Sequence, residues 1–389
     1  MRIFLKTAIF LFGKMGEIRK MKKNKKIPTE KEMIEELRTG KVSLPPLSLR
    51  FLEGQLGAGG NCCRDGFVEA SWRESTARFA IECKSISTPK AFQDGVNLLK
   101  SSSLPKGYQP MLFMPFLSEL QLEELEREGI SGIDLCGNGV VIVPVMFAVF
   151  RSGEKNRFSS SAPIKNIYRK NSSMVGRLFL IRPSYDTVQD ICSEINRRNM
   201  LASRWNGRPM SVSTVSKALK ALHEDLIVER NDKIRLLQAD KLLEKLSENY
   251  APPKIRERVS LKVTEGSATI QEILLRQSGQ LNMPLVATGT SSVTRYAVMQ
   301  RGDMLSVYCP RLEMLLEGLS GSQSDRFPNL ELVETEDETV FFDALQEGDF
   351  WWASPVQVYL ELMAGDKRDR EIAEQVKSFI LTGLKRVQR

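Results

Sequence analysis

Three side chains in the first quarter of the chain have the types and spacing of a metal-assisted phosphodiester site: Asp65, Glu82 and Lys84. Glu82 and Lys84 close the run Arg78-Phe79-Ala80-Ile81-Glu82-Cys83-Lys84. Its period-two alternation predicts a strand with Glu82 and Lys84 on an exposed face and Phe79, Ile81 and Cys83 on the other. A carboxylate and an ammonium so placed suit hydrolysis assisted by Mg2+. The carboxylate helps hold the ion, and the lysine steadies the attacking water or the developing charge. A second carboxylate is needed for the metal. The run Phe67–Trp72, with a polar turn around Arg73–Thr76, predicts the other arm of a hairpin. A turn centred near Glu74-Ser75 sets Asp65 close to Lys84 and Glu69 nearer Ile81. Asp65 and Glu82 are therefore the expected metal ligands, with Glu69 as the alternative. The same residues also fit a plain surface salt bridge on a half-exposed strand.

The elements around this hairpin alternate between strand and helix. The pattern predicts helix over Glu30–Arg38 and again over Leu47–Leu56, after the break at Pro45-Pro46, with Gly57–Gly60 ending it. Thr88–Lys100 and Leu117–Glu128 read as helices. Met111–Pro115, Ile133–Leu135 and Val140–Val143 read as strands, with Gly137-Asn138-Gly139 as a turn. An α/β domain over residues 28–150 follows.

A second constellation lies in Ser211–Leu237. Val215, Ala218, Leu219 and Leu222 recur at helical spacing and make one buried face. Ser213 stands where an N-cap would, and the opposite face offers Thr214, Ser216, Lys217 and Lys220, suited to phosphates and base edges. Two short strands follow, Leu226–Val228 and Ile234–Leu237, about a tip at Asn231-Asp232 that tolerates left-handed backbone. Arg230 and Lys233 flank the tip. This is the expected recognition helix and wing of a winged helix-turn-helix; an ordinary amphipathic helix followed by a hairpin is the alternative. Val175–Ile181 and Val188–Ile195 supply its first two helices. Asn196–Met210, where the usual turn is a few residues, carries Arg197, Arg198, Arg204, Trp205 and Arg208. It reads as a surface loop extending a helix, with added DNA-backbone contacts as the other reading.

Charge distribution agrees with a nucleic-acid partner. The 389-residue chain has a formal net charge of +8. Residues 151–210 hold twelve Lys/Arg against four Asp/Glu, the footprint of phosphate binding. Residues 321–350 hold nine acidic residues against one arginine and are expected to form a solvated face. Residues 1–27 read as a disordered basic tail, too briefly apolar to span a bilayer; Met15 and Met21 are alternative starts. Six scattered cysteines with no CxxC pair and one histidine, His223, argue against zinc, a disulfide framework and Ser-His-Asp or Cys-His catalysis. A reducing cytoplasm fits. His223 is expected at the helix surface or an interface.

Residues 151–250 are thus expected to form a basic linker and winged helix, and 251–389 a C-terminal α/β domain after the boundary at Pro252-Pro253. The latter has strands at Val259–Val263, Leu285–Thr288, Leu305–Cys309, Leu330–Val333 and Val340–Phe342. Its helices are Glu313–Leu319, Pro355–Met363 and Glu371–Leu381. Leu285–Gly289 runs into Thr290-Ser291-Ser292, but the closely spaced aspartate pair of a nucleotidyltransferase does not follow. Trp351, Trp352, Val356 and Tyr359 read as core.

Asp65 and Glu82-x-Lys84 in a hairpin followed by a helix resemble the core of the PD-(D/E)xK restriction-endonuclease-like fold, though Arg64 stands where the motif proline usually does. With GISGIDLCGNGVVI at 129–142, the helix and wing, WASPVQVYLEL at 352–362 and REIAEQVKSFIL at 370–381, the order resembles the AbiEi-like antitoxins of type IV toxin–antitoxin systems. The insert at 196–210 departs from that pattern. The resemblance implies a winged-helix repressor of its own operon that binds duplex DNA without a cofactor and neutralises a nucleotidyltransferase toxin. It also implies a nuclease-like domain retained as scaffold. A Mg2+-dependent DNA endonuclease of defence or repair, targeted by the winged helix, is the alternative reading. A third is a toxin-binding module whose DNA contacts are incidental.

Overall fold

The structure, a computed structural model, describes residues 27–52, 65–158, 166–205, 207–264, 267–299, 304–317, 319, 321–324 and 326–387. The basic tail through residue 26, Gly57–Gly60, Cys62, Cys63, Arg64, residues 159–165 of the linker and the side chain of Arg204 lie outside the described residues. The protein is of mixed α/β class and folds as two compact units, 1–165 and 166–389.

The first unit is a seven-stranded sheet whose spatial order follows the chain. α1 (Glu30–Arg38) opens it, capped by a reciprocal Thr29–Glu32 box. β1 (Ser48–Leu52), β2 (Gly66–Trp72) and β3 (Ser75–Cys83) form an antiparallel meander. α2 (Pro89–Ser101) then crosses over to β4 (Tyr108–Met114), parallel to β3. α3 (Glu119–Arg127) crosses over to β5 (Ser131–Asp134), parallel to β4. β6 (Gly139–Val143) and β7 (Phe147–Arg151) close the sheet as a hairpin. Two cores follow from the alternation of each strand. Phe79, Ile81, Cys83, Met111 and Phe113 pack with Met33 and Leu37 of α1. Leu112 and Met114 face the other way, onto Phe92 and Val96 of α2 and Leu122 and Leu125 of α3. The expected helix at Leu47–Leu56 is instead strand β1 over its described part. A short apolar run does not distinguish the two states, and pairing with β2 decides it.

The second unit begins with α4 (Ser173–Phe179), β8 (Ser184–Tyr185), α5 (Val188–Arg198), α6 (Met200–Trp205) and α7 (Val212–Glu224). β9 (Val228–Arg230) and β10 (Ile234–Leu236) follow, and the three strands pair in the order β8-β10-β9, all antiparallel. α8 (Ala239–Glu248) leads to β11 (Ile255–Val263), α9 (Ser267–Leu281), β12 (Val286–Ala287), α10 (Gly289–Ser292) and β13 (Leu305–Cys309). α11 (Glu313–Leu316), β14 (Gly321–Gln323), β15 (Leu330–Thr335), β16 (Leu345–Glu347), β17 (Phe350–Trp352), α12 (Pro355–Met363) and α13 (Lys367–Val387) complete it. The sheet order is β14-β11-β15-β13-β12-β17-β16, with β13–β15 and β12–β17 parallel. Its core joins Leu261, Val307 and Leu332 of the sheet to Ile270 and Leu274 of α9. Trp352, Val356 and Tyr359 are buried, as core residues, whereas Trp351 on the same strand is only half-buried. Val340, expected in a strand, ends a 3-10 turn at Glu338–Val340. No helix among the described residues is long and apolar enough to cross a membrane.

Candidate functional site

The hairpin brings Asp65, Glu82 and Lys84 together, but not in the expected register. Its turn is the two-residue Arg73-Glu74, with Arg73 at φ +55° and Trp72 paired to Ser75. Gly66 pairs with Ile81, so Asp65 falls beside Glu82 rather than Lys84, and Glu69 faces Arg78 rather than Ile81. The Asp65 carboxylate accepts from the Cys83 backbone N–H at 2.7 Å, and Lys84 Nζ donates to Glu82 Oε1 at 2.7 Å. The face is not exposed as expected: Glu82 is only 5 % exposed because α2 lies over it. Gly95 permits that approach; a Cβ there would sit 2.6 Å from Leu112 Cδ1 and 3.5 Å from Lys84 Cγ.

Burial alone would lower the Lys84 ammonium, but Glu82, Glu30 and Asp65 outweigh it and hold Lys84 above its ordinary value. Lys84 therefore stays a cation rather than a base. Burial, reinforced by Asp65, Glu30 and Glu82, pushes the Cys83 thiol far up, so it remains protonated. Glu69 is committed elsewhere, 2.5 Å from Arg50 and 3.5 Å from Arg78, which hold it below the ordinary carboxylate range. Among the described residues no three His, Cys, Asp or Glu side chains group to hold a metal. Mg2+ is often held by one or two carboxylates plus water and phosphate. Asp65 and Glu82 are the pair that fits, with the Glu82–Lys84 contact in competition. Glu30, in the first turn of α1, was not among the sequence candidates; only tertiary packing brings a helix start to a strand end.

α7 carries the second constellation. Val215, Ala218, Leu219 and Leu222 are at most 1 % exposed, each burial contributing on the order of 1.5–3 kcal/mol for the large side chains. Ser213, Lys217 and Lys220 are exposed on the opposite side, and Thr214 and Ser216 are half-buried on its flanks. The N-cap is Ser211, not Ser213: its hydroxyl accepts from Thr214 N and lies 2.9 Å from Thr214 Oγ1. Beyond α7, Leu226 at φ +58° turns the chain into β9. The tip Asn231–Lys233 closes without the left-handed residue expected there. Arg230 is exposed, and Lys233 pairs with Asp186 at 3.1 Å. Among the described residues none of Lys217, Lys220 and Arg230 is ion-paired. His223 is half-buried, its Nδ1 3.0 Å from the Val228 carbonyl oxygen.

The insert is a strut inside this unit. α5 continues to Arg198 and α6 follows at once. Arg198 bonds Glu194 and Asp343, Arg197 bonds Glu194, and Trp205 packs against the core of the C-terminal sheet. Asn196 holds the far end: its Oδ1 accepts from Met210 N at 2.7 Å and its Nδ2 donates to Met210 O at 3.1 Å. The acidic stretch 321–350 is correspondingly not a solvated face throughout. Glu331 and Glu334 are buried on β15 against Arg258 and Arg256, and Asp343 is buried against Arg198. Their partners are far away in sequence, which composition does not reveal.

The hydrogen bond from Arg197, with Arg198, carries Glu194 from 4.5 to about 2 against the opposing effect of burial. A depressed carboxylate contributes stability that is full above its unfolded value and lost as pH falls through its folded one. Glu194→Gln will therefore be less stable than wild type at neutral pH. The difference will close between pH 4.5 and about 2. Urea unfolding across that range measures it, and a pH-independent difference refutes the assignment.

In the second unit Gln357 joins a buried arginine, Arg177, to a half-buried carboxyl, Glu361. Its Oε1 accepts from Arg177 Nη1 at 2.8 Å, and its Nε2 donates to Glu361 Oε1 at 2.8 Å and Tyr250 OH at 3.1 Å. Burial lowers the Arg177 guanidinium and raises the Glu361 carboxyl. The other Glu361 oxygen accepts from Gly289 N at 2.7 Å, and a Cβ at 289 would lie 2.4 Å from it. The donor at the start of α10 is thus occupied by the protein's own carboxylate.

Residues 235–382 match the family model described as "Transcriptional regulator, AbiEi antitoxin, Type IV TA system". The span runs from within β10 to within α13 and includes Ser354–Leu360, so this part of the chain is similar to a type IV antitoxin. No curated protein and no solved structure matches the chain.

Proposed function

We propose that this protein is a cytoplasmic transcriptional regulator of the antitoxin kind, binding duplex DNA through α7 and the β9–β10 hairpin. The observation that carries the reading is the α7 surface itself. Two lysines without ion pairs among the described residues stand opposite a fully buried stripe, next to a hairpin bearing exposed Arg230. α4, β8, α5, α7, β9 and β10 follow the order of a winged helix. α7 would enter the major groove, with Ser213, Thr214, Ser216, Lys217 and Lys220 at bases and phosphates and Arg230 and Lys233 at the backbone. The antitoxin match at 235–382 supports the regulatory role and a toxin partner, for which a nucleotidyltransferase is the proposed class. Titrating the full chain into a mixed-sequence duplex between about 50 and 200 mM salt tests the proposal. Affinity falling steeply with salt is expected; no binding at the low end removes the reading.

A second reading rests on the meeting of Asp65, Glu82 and Lys84 at one strand end, in a unit ordered α-β-β-β-α-β like a restriction-endonuclease-like core. Asp65 and Glu82 would hold Mg2+ and Lys84 would stabilise developing negative charge. We favour the retained scaffold over the working nuclease because Lys84 already occupies Glu82. Plasmid incubated with the protein and Mg2+ will stay intact. Cleavage that Glu82→Ala abolishes overturns this preference.

A further inference from the structure

We infer that Val212 is a specificity-determining side chain of α7, placing its methyl groups against the 5-methyl of a thymine in the major groove. This rests on the reading of α7 as the helix that enters DNA. The four apolar residues that dock α7 are at most 1 % exposed, whereas Val212, at the first helical position, is 41 % exposed and takes no part in that core. At helical spacing it shares a flank with Ser216 and lies next to the ridge of Ser213, Lys217 and Lys220.

The neighbouring groups are polar, and none of them offers an exposed apolar surface to a base. Lys217 and Lys220 suit phosphates, which carry no sequence information directly. The Ser211 and Thr214 hydroxyls are engaged with each other. Those of Ser213 and Ser216 can serve donor or acceptor edges alike. Apolar contact with the thymine methyl is a form of major-groove readout that ammonium and hydroxyl groups do not supply, and Val212 is the exposed apolar side chain in the first two turns of α7.

Two further features make the contact rigid. Valine is stiff about χ1, so little side-chain freedom is lost on docking. The chain entering α7 is clamped by the two Asn196 hydrogen bonds to Met210, which fix the first turn relative to α5.

The test uses the full chain and a duplex selected by it from a random-sequence pool. Each thymidine in that duplex is then replaced in turn by deoxyuridine, which removes only the methyl. At one position the wild type will lose about fourfold in affinity, the factor one buried methyl contributes. Val212→Ser will bind the thymidine duplex about fourfold more weakly than wild type and show no further loss on deoxyuridine. Val212→Ala will lie between. Both variants will keep the wild-type midpoint of thermal unfolding and the wild-type slope of log affinity against log salt, which shows that the fold and the phosphate contacts survive. A wild type insensitive to every thymine methyl, or a Val212→Ser variant that keeps the full difference, overturns the inference while leaving α7 as a DNA-binding helix. Failure of the wild type to bind any duplex removes the parent reading and the inference with it.

Discussion

A Lys217→Ala/Lys220→Ala double variant will bind duplex DNA roughly fifty-fold more weakly than wild type at about 0.1 M salt. Each lysine that neutralises a phosphate releases close to one condensed counterion, and near 0.1 M each release is worth roughly eightfold in affinity. Removing two contacts also lowers the slope of log affinity against log salt by about 2. Both side chains are exposed, and the core stripe beneath them is untouched, so stability should not change. Fluorescence anisotropy over a salt series reads affinity and slope together. An unchanged slope would remove α7 from the interface even if affinity fell for some other reason.

Gln357→Leu will cost the second unit about 3–5 kcal/mol, the range for a broken buried ionic network. Leucine matches glutamine in volume, so the loss is that of hydrogen bonds and not of packing. Arg177, buried and already without a partner for Nε, would keep only the Thr339 carbonyl. Glu361 would lose the donor to its Oε1 and keep Tyr308 there, at 3.2 Å. Arg177 is buried and cannot reach water to compensate, and Glu361 is half-buried. For a unit of this size the midpoint of thermal unfolding would drop by roughly 6–12 °C. A loss under about 1 kcal/mol would mean that the two groups rearrange, and that this network is not what ties α4 to α12.

That network was invisible in the sequence for a plain reason. Arg177 and Gln357 are 180 residues apart, and Arg198 and Asp343 are 145 apart. Nothing local marks either pair. Arg198 of the insert, expected on a surface loop, is engaged inside the protein because a distant acidic segment brings Asp343 to it. The same distance explains the acidic stretch: its net charge was legible, but not that β11 supplies the opposing arginines.

The hairpin shows a finer limit. Alternation alone put Phe79, Ile81 and Cys83 on the buried side, and that is where they are. Register depended on where the turn closed. A shift from Glu74-Ser75 to Arg73-Glu74 moved Asp65 by two positions along its partner strand, from Lys84 to Glu82. α9 escaped notice because Ser278 and Gly279 interrupt its apolar face.

What the sequence determined alone is periodic and local. The stripe Val215, Ala218, Leu219 and Leu222 specifies a helix and its inner face, and the cations opposite it follow by geometry, since 3.6 residues per turn leave them nowhere else to point. The tertiary structure decided what those groups meet. It covered Glu82 with α2, engaged Thr214 with the cap, left Val212 exposed, and set Arg198 against Asp343 while leaving Arg230 at the surface. Side-chain period is a property of neighbours in the chain. Charge pairing and exposure are properties of neighbours in space, and those exist only once the chain has closed on itself.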